Sequence, residues 1–187
     1  MRRVKLVPDH YYHIYNRGIA ESKIFFQVRN WGYFLQQWRK YCLPEYAETI
    51  AYCLMPTHYH FLLYIKTEDF GHKVMHPFVT SYAKAINKQE RRSGHLFQGA
   101  FQAKLVDTNA YLSHLTRYIH LNPVEASYVD HPGDWEYSSY LEYAGLRDGI
   151  LPKPDIVLEN FNDRADYIAF VEDGVQDLRP IMKWMLD

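Results

Sequence analysis

The segment PTHYHFLL, residues 56–63, sets His58 and His60 two positions apart. On a strand successive side chains alternate faces, so both imidazoles would point the same way. Two imidazoles on one face can grip a single divalent cation. In a chain with ten histidines such a pair also arises by chance, as polar residues on the wet face of a half-buried sheet. The second reactive group lies in AYLSHLTRYIHLNPVEA, residues 110–126. Tyr118 precedes Asn122 by four residues, which makes them neighbours on a helix. A tyrosine hydroxyl can be a nucleophile that forms a covalent intermediate. Its ordinary pKa is about 10, so it needs activation or a polarised target. A metal held nearby would polarise a phosphate oxygen and make the phosphorus easier to attack. With 17 tyrosines in the chain, spacing alone leaves Tyr118 one candidate among several.

The elements that must position these groups follow from periodicity. Residues 10–18 (HYYHIYNRG) are aromatic and β-branched and end at a glycine, which suits a strand. Residues 28–41 place Trp31, Phe34, Leu35 and Trp38 at helical spacing, with Pro44 after them. Residues 46–55 and 59–66 are two apolar runs separated by Pro56 and Thr57, and read as a strand pair. Residues 77–92 predict a second helix with Val79, Tyr82, Ala83 and Ile86 as its apolar stripe. Lys84, Lys88, Arg91 and Arg92 form a basic ridge off that stripe. Residues 100–106 fit a fourth strand. A third helix is expected over residues 109–121, capped by Asp107 or Thr108, with Leu112, Leu115 and Ile119 inward. Pro123 biases Asn122 away from helical backbone and so should end it. The order β-α-β-β-α-β predicts an α+β, ferredoxin-like fold. That is an antiparallel sheet with helices on one face, the tyrosine-bearing helix after the fourth strand and extra helices toward the C-terminus. Fold alone decides little about function.

The chain has 187 residues, 48% of them hydrophobic, and a formal net charge of −1. It can bury a core and is not disordered. The near-neutral total argues against a nucleic-acid partner, but it hides a split. Residues 1–120 hold 16 Lys and Arg against 8 Asp and Glu, a net of +8, whereas residues 121–187 hold 5 against 14, a net of −9. Such asymmetry suggests an anionic partner for the basic part. The ridge, with Arg17, Lys104 and Arg117, could follow a phosphate backbone. Tyr and Phe near the sheet could stack unpaired bases. For each basic residue taken singly, a solvated charge is the competing reading. Cys42 and Cys53 are too far apart for a C-x-x-C motif and are expected to be buried thiols of a reducing compartment. No leader-like apolar segment follows the basic N-terminus and no run of about 18 apolar residues exists, so a cytoplasmic protein without a membrane span is expected.

Five blocks carry a family resemblance: HYYHIYNRG (10–18), YCLMPTHYHFLL (52–63), GHLFQGAFQAKLV (94–106), YLSHLTRYIHLNPVEA (111–126) and DWEYSSYLEYAG (134–145). Together, and in this order, they resemble the HUH single-tyrosine transposases, most closely the REP-associated tyrosine transposase branch. The resemblance implies that His58 and His60, with Asn122 as an oxygen donor, hold a divalent metal, Mg²⁺ or Mn²⁺. It implies that Tyr118 attacks a DNA phosphodiester to give a 5′-phosphotyrosine link and a free 3′-hydroxyl. The implied partner is single-stranded or hairpin DNA, the enzyme class a DNA transposase that cleaves and rejoins strands, and a homodimer is allowed for. Residues 1–125 would be the catalytic domain and residues 126–187 an acidic, mostly helical extension packed on it, covering the DNA face or keeping the protein soluble. The chain departs from the family pattern at Tyr59, where a bulky hydrophobe is usual, and at Ala100 and Glu125, where arginine is frequent. His120 replaces Glu or another polar residue and could add a ligand or a proton relay. Competing readings are a ferredoxin-like nucleic-acid binder without catalysis, a metallohydrolase using Asp107 and water, and a domesticated, inactive transposase.

Overall fold

The computed structural model describes residues 5–174. Strands β1 (His10–Arg17), β2 (Ala47–Met55), β3 (His58–Ile65) and β4 (Gln102–Val106) form one antiparallel sheet in the order β2-β3-β1-β4. Helices α1 (Arg29–Tyr41) and α2 (His76–Gln89) lie together on one face, as the ferredoxin-like reading expects. A π-helical turn, Gly71–Met75, leads directly into α2.

Alternation along the strands divides the molecule into two cores. On the α1/α2 face, Tyr12, Ile14, Tyr59, Phe61, Leu63 and Ile65 meet Phe34, Trp38, Phe78, Tyr82 and Ile86. Trp38 stacks on Phe61 with centroids 4.2 Å apart, and its indole N–H donates to Thr49 Oγ1 at 3.0 Å. Burying such a ring stabilises by a few kcal/mol only because its one polar group is partnered. In β2 the register slips between Thr49 and Ala51. The extra residue lets Ala47 and Thr49 face α1, then Tyr52 and Leu54 face it again after the parity change. Cys53 and Met55 are thereby turned to the other face, beside His60 and His58.

That other face is covered by α3 (Asn109–Glu125) and by the segments C-terminal to it. Thr108 is the N-cap, its hydroxyl accepting from the Tyr111 amide at 3.1 Å. The helix does not stop before Pro123 but runs through it to Glu125. The proline sits in the last turn and forfeits one helical hydrogen bond. Leu121, Asn122 and Pro123 are all buried there, so packing outweighs the local bias.

Residues 126–174 are turn-rich rather than mostly helical. They hold two four-residue helices, α4 (Tyr140–Tyr143) and α5 (Asp155–Leu158), and one longer helix, α6 (Arg164–Asp173). Pro132, Gly133, Gly145, Gly149, Pro152 and Pro154 interrupt any longer run. Residues 175–187 of the expected extension lie outside the described residues. Residues 137–139 run beside β2, with Leu54 N–H donating to Tyr137 O and Ser139 N–H to Tyr52 O, both at 2.9 Å, and so cover that sheet edge. Tyr140, Tyr143, Val157, Tyr167 and Val171 then complete the second core against α3.

His120 is a structural residue of this core, not a ligand or relay. It is fully buried, with Nδ1 2.6 Å from Tyr167 Oη and Nε2 2.8 Å from Ser139 Oγ. Burial lowers its pKa to about 3. Burial likewise pushes His13 and His60 down. Such groups stay neutral when folded but take up protons when unfolded, below their ordinary value of about 6.5. Their stabilisation is complete above that pH and is lost as the pH falls toward their folded values. Glu125 works the other way, because burial raises its carboxyl to about 7. The expected outcome for metal-free protein is a fall in unfolding free energy between pH 7.5 and 5. His13 and His120 each contribute on the order of 2 kcal/mol of that fall, and urea melts at the two pH values read it. Equal stability at both in a Glu125→Gln background, which removes the opposing carboxyl, would mean that these imidazoles are solvated in the fold.

Candidate active site

Register sets the site. In β3, His58 and His60 face α3, and β1 places Arg17 opposite His58 and Tyr15 opposite His60. α3 presents Tyr118 and, one turn on, Asn122 to the same spot. His58 Nε2 lies 3.1 Å from Asn122 Oδ1, and the Asn122 amide N–H donates to the Tyr118 carbonyl at 3.3 Å. The Tyr118 ring stands edge-on to His60, with centroids 5.6 Å apart. The structure therefore brings together all four residues expected to act in catalysis and metal binding, from two elements about 60 residues apart in sequence.

Burial shapes the electrostatics. It raises the Tyr118 hydroxyl above its ordinary range, and a hydrogen bond from the Asn122 side chain works against that shift. It lowers His58, with Asn122 opposing and the Arg17 charge adding to the shift. It pushes His60 well down, with His13 and His58 adding to it. A metal requires the imidazoles in their neutral form, which burial favours.

Two imidazole nitrogens and one amide oxygen are donors of the kind that can hold a divalent cation, and they suit several such ions. Asn122 Oδ1 can only accept, so at 3.1 Å His58 Nε2 donates its hydrogen to it in the metal-free site, and that nitrogen would have to give up this hydrogen to ligate a cation. The far nitrogen of each imidazole is anchored. His58 Nδ1 lies 3.0 Å from Thr57 Oγ1, a hydroxyl that can either donate or accept, and His60 Nδ1 lies 2.8 Å from His13 Nε2. Among the described residues, no three His, Cys, Asp or Glu side chains form a metal-ligating group, so the amide oxygen matters to the set.

The basic residues separate. Arg17 is exposed beside His58, its guanidinium donating to Gln98 at 2.6 Å and lying 3.7 Å from Glu21. Lys104 pairs with His13 across β1 and β4 and so shares the histidine face. Arg117 turns away, over the Phe170 ring of α6 with its carbon 4.5 Å from the centroid. Lys84 and Lys88 lie on α2, and Arg91 and Arg92 come just after it, with Arg92 over Phe26. That ridge belongs to the layer across the sheet from Tyr118.

Two contributors escaped sequence reading, His13 and Thr57. His13 lies inside the first strand block, but only the β1–β3 register shows that it meets His60. Asp107, the carboxylate of the hydrolase alternative, lies before the start of α3. Asn122 is near the other end, roughly 20 Å along the axis at 1.5 Å per residue.

Comparison with known proteins adds three findings. A family model described as "Transposase IS200 like" matches residues 6–122. A Haemophilus influenzae protein, provisionally named a REP-associated tyrosine transposase, is 26% identical over 117 residues, which is 57% of this chain and 66% of that protein. The chain thus spans just under two thirds of that relative. A solved structure of a REP-associated tyrosine transposase bound to a REP hairpin shares the fold. Its TM-score is 0.60 at 15% identity, over 82% of this chain and 96% of that chain.

Proposed function

The chain belongs to the IS200-like transposase family, and from that premise we propose that it is a metal-dependent single-stranded DNA endonuclease and strand transferase. It acts on hairpin-bearing DNA, the kind of ligand held by the solved relative of the same fold. The observation that carries this reading is the meeting of a half-buried tyrosine with a two-histidine, one-amide donor set. Tyr118 Oη forms a bond to phosphorus as it loses its proton, and the bond from phosphorus to the 3′ oxygen breaks. The leaving oxygen takes up a proton and becomes a 3′-hydroxyl. Bond energy is kept in the 5′-phosphotyrosine, so a second 3′-hydroxyl can attack it and release Tyr118 without ATP.

His58, His60 and Asn122 would hold Mg²⁺ or Mn²⁺. When bound, the cation supplies Lewis-acid polarisation of the scissile phosphate. The residues do the rest. Asn122 joins the two halves of the site, since its oxygen meets His58 and its N–H fixes the turn that carries Tyr118. The edge-on packing of Tyr118 against His60 limits where the hydroxyl can point.

The reading takes residues 1–125 as the catalytic domain and the acidic part after it as packed on its second face. It places the protein with its DNA in the cytoplasm; among the described residues no helix is long and apolar enough to cross a membrane. The test is a library of labelled single strands, each with one hairpin and randomised flanks, incubated with Mn²⁺ or with EDTA. An SDS-resistant protein–DNA adduct in the Mn²⁺ arm alone is expected. Cleavage without any adduct would favour water as nucleophile, and tight binding without cleavage would favour a binding module.

Position also ranks the cations. Arg17 stands at the mouth of the site, whereas Lys84 and Lys88 lie across the sheet. Arg17→Ala should weaken binding of a cleaved hairpin strand and reduce the slope of log affinity against log salt by about 1. Lys84→Ala should leave the cleavage rate within about twofold of the parent, since surface changes far from a site are near neutral. Filter binding across a salt series and single-turnover cleavage read the two effects.

A further inference from the structure

We propose that His13 is the positioning residue of this site, accepting the Nδ1 proton of His60 so that the Nε2 lone pair of His60 is presented to the metal. The inference rests on reading His58, His60 and Asn122 as the metal-binding set.

The two rings lie nearly parallel, with an interplanar angle of 18°, and His13 Nε2 is 2.8 Å from His60 Nδ1. Both side chains are buried, where two facing imidazolium charges would have no compensation. A bond between two neutral imidazoles has two forms, differing in which ring carries the shared proton. If His13 Nε2–H donates, the proton of His60 must sit on its Nε2, and that nitrogen cannot ligate. If His60 Nδ1–H donates, His60 Nε2 is free to ligate and the proton of His13 sits on its Nδ1. His13 Nδ1 is buried and has no hydrogen-bond partner in either form. It therefore does not choose between the two forms; metal ligation at His60 Nε2 does. An outer partner that fixes the tautomer and ring orientation of a ligating histidine is commonly a carboxylate or a carbonyl. Here a second imidazole takes that place, orienting the His60 ring and supplying the acceptor for its Nδ1 hydrogen once Nε2 ligates, and it is itself stacked on Tyr15 with centroids 4.7 Å apart. His13 itself does not ligate, because its only nitrogen aimed at the site is spent on His60.

The arrangement distinguishes His13 from a residue that merely fills space. Gln can place an amide oxygen as acceptor; Leu cannot. His13→Leu is expected to lower Mn²⁺ affinity about 10- to 100-fold, whereas His13→Gln recovers at least a third of the parent affinity. Both are read by calorimetric titration of folded protein, with hairpin binding in EDTA as the check on the fold. A His13→Leu variant that keeps its fold and binds Mn²⁺ within twofold of the parent overturns the inference. Should that variant not fold, long-range ¹⁵N–¹H spectra of the parent decide instead. His60 in the Nδ1–H form is expected, and His60 in the Nε2–H form with Mg²⁺ present overturns the inference. Failure of the parent itself to bind Mn²⁺, with His58→Ala indistinguishable from it, removes the metal reading and the inference together. A parent that binds, with His58→Ala losing the metal and His13→Leu not, removes the inference alone.

Discussion

Tyr118→Phe is expected to abolish the covalent DNA adduct while leaving hairpin affinity within about twofold of the parent. The change removes one oxygen and keeps the ring that stands edge-on to His60. Phe fills the same half-buried volume without a polar group to satisfy, so the fold should lose little. What is lost is the atom proposed to bond to phosphorus. Deleting a covalent nucleophile costs on the order of 10⁴-fold or more, and the remaining groups recover little because they act as a unit. Single-turnover cleavage of a hairpin strand measures the rate, and filter binding in EDTA measures the affinity. A Phe variant that still formed adduct would move the nucleophile elsewhere. The nearest alternatives by position are Tyr15, which stacks near His60 with centroids 5.9 Å apart, and Tyr111, two turns earlier on α3.

The second large effect is at the donor set. His58→Ala should reduce cleavage by about 10²- to 10⁴-fold, the range expected from losing several kcal/mol of charge stabilisation at the phosphate. Asn122→Ala should cost a comparable amount for two reasons. It removes the oxygen donor, and it removes the hydrogen bond to the Tyr118 carbonyl that ties nucleophile to ligand. Asn122→Asp separates these, since a carboxylate restores an oxygen donor but brings no N–H. It should recover metal affinity more than it recovers rate. Titration of Mn²⁺ together with single-turnover rates distinguishes the two losses. Full cleavage by His58→Ala at millimolar Mn²⁺ would sink the metal reading.

Much of the site was legible in the sequence because its residues lie on regular elements. His58 and His60 share a face because the strand period is two, and Tyr118 and Asn122 share one because the helix period is near four. What spacing left undecided was which tyrosine matters, and the family resemblance, not periodicity, singled out Tyr118. The net charge was a poor guide, since the +8 and −9 parts cancel; the basic part carries nearly all of the site. Pro123 misled the reading of the helix end, because local backbone bias was outweighed by burial of the last turn. The basic ridge on α2 was read from one-dimensional clustering, and the sheet separates it from Tyr118. His13 was missed because its role depends on the register between β1 and β3, which no local pattern encodes. In the sequence His120 offers a ligand or a proton relay, yet its neighbours Ser139 and Tyr167 come from a part of the chain whose packing no local pattern encodes.

The central claim is that Tyr118 becomes covalently joined to a 5′ phosphate. The direct measurement is to digest the adduct formed with a hairpin-bearing single strand and to locate the nucleotide by mass spectrometry. The predicted result is a nucleotide attached through phosphate to the tyrosine of the peptide that spans residues 118–122, with a free 3′-hydroxyl on the released strand. A modified peptide elsewhere in the chain, or cleaved DNA with no modified peptide at all, would contradict it.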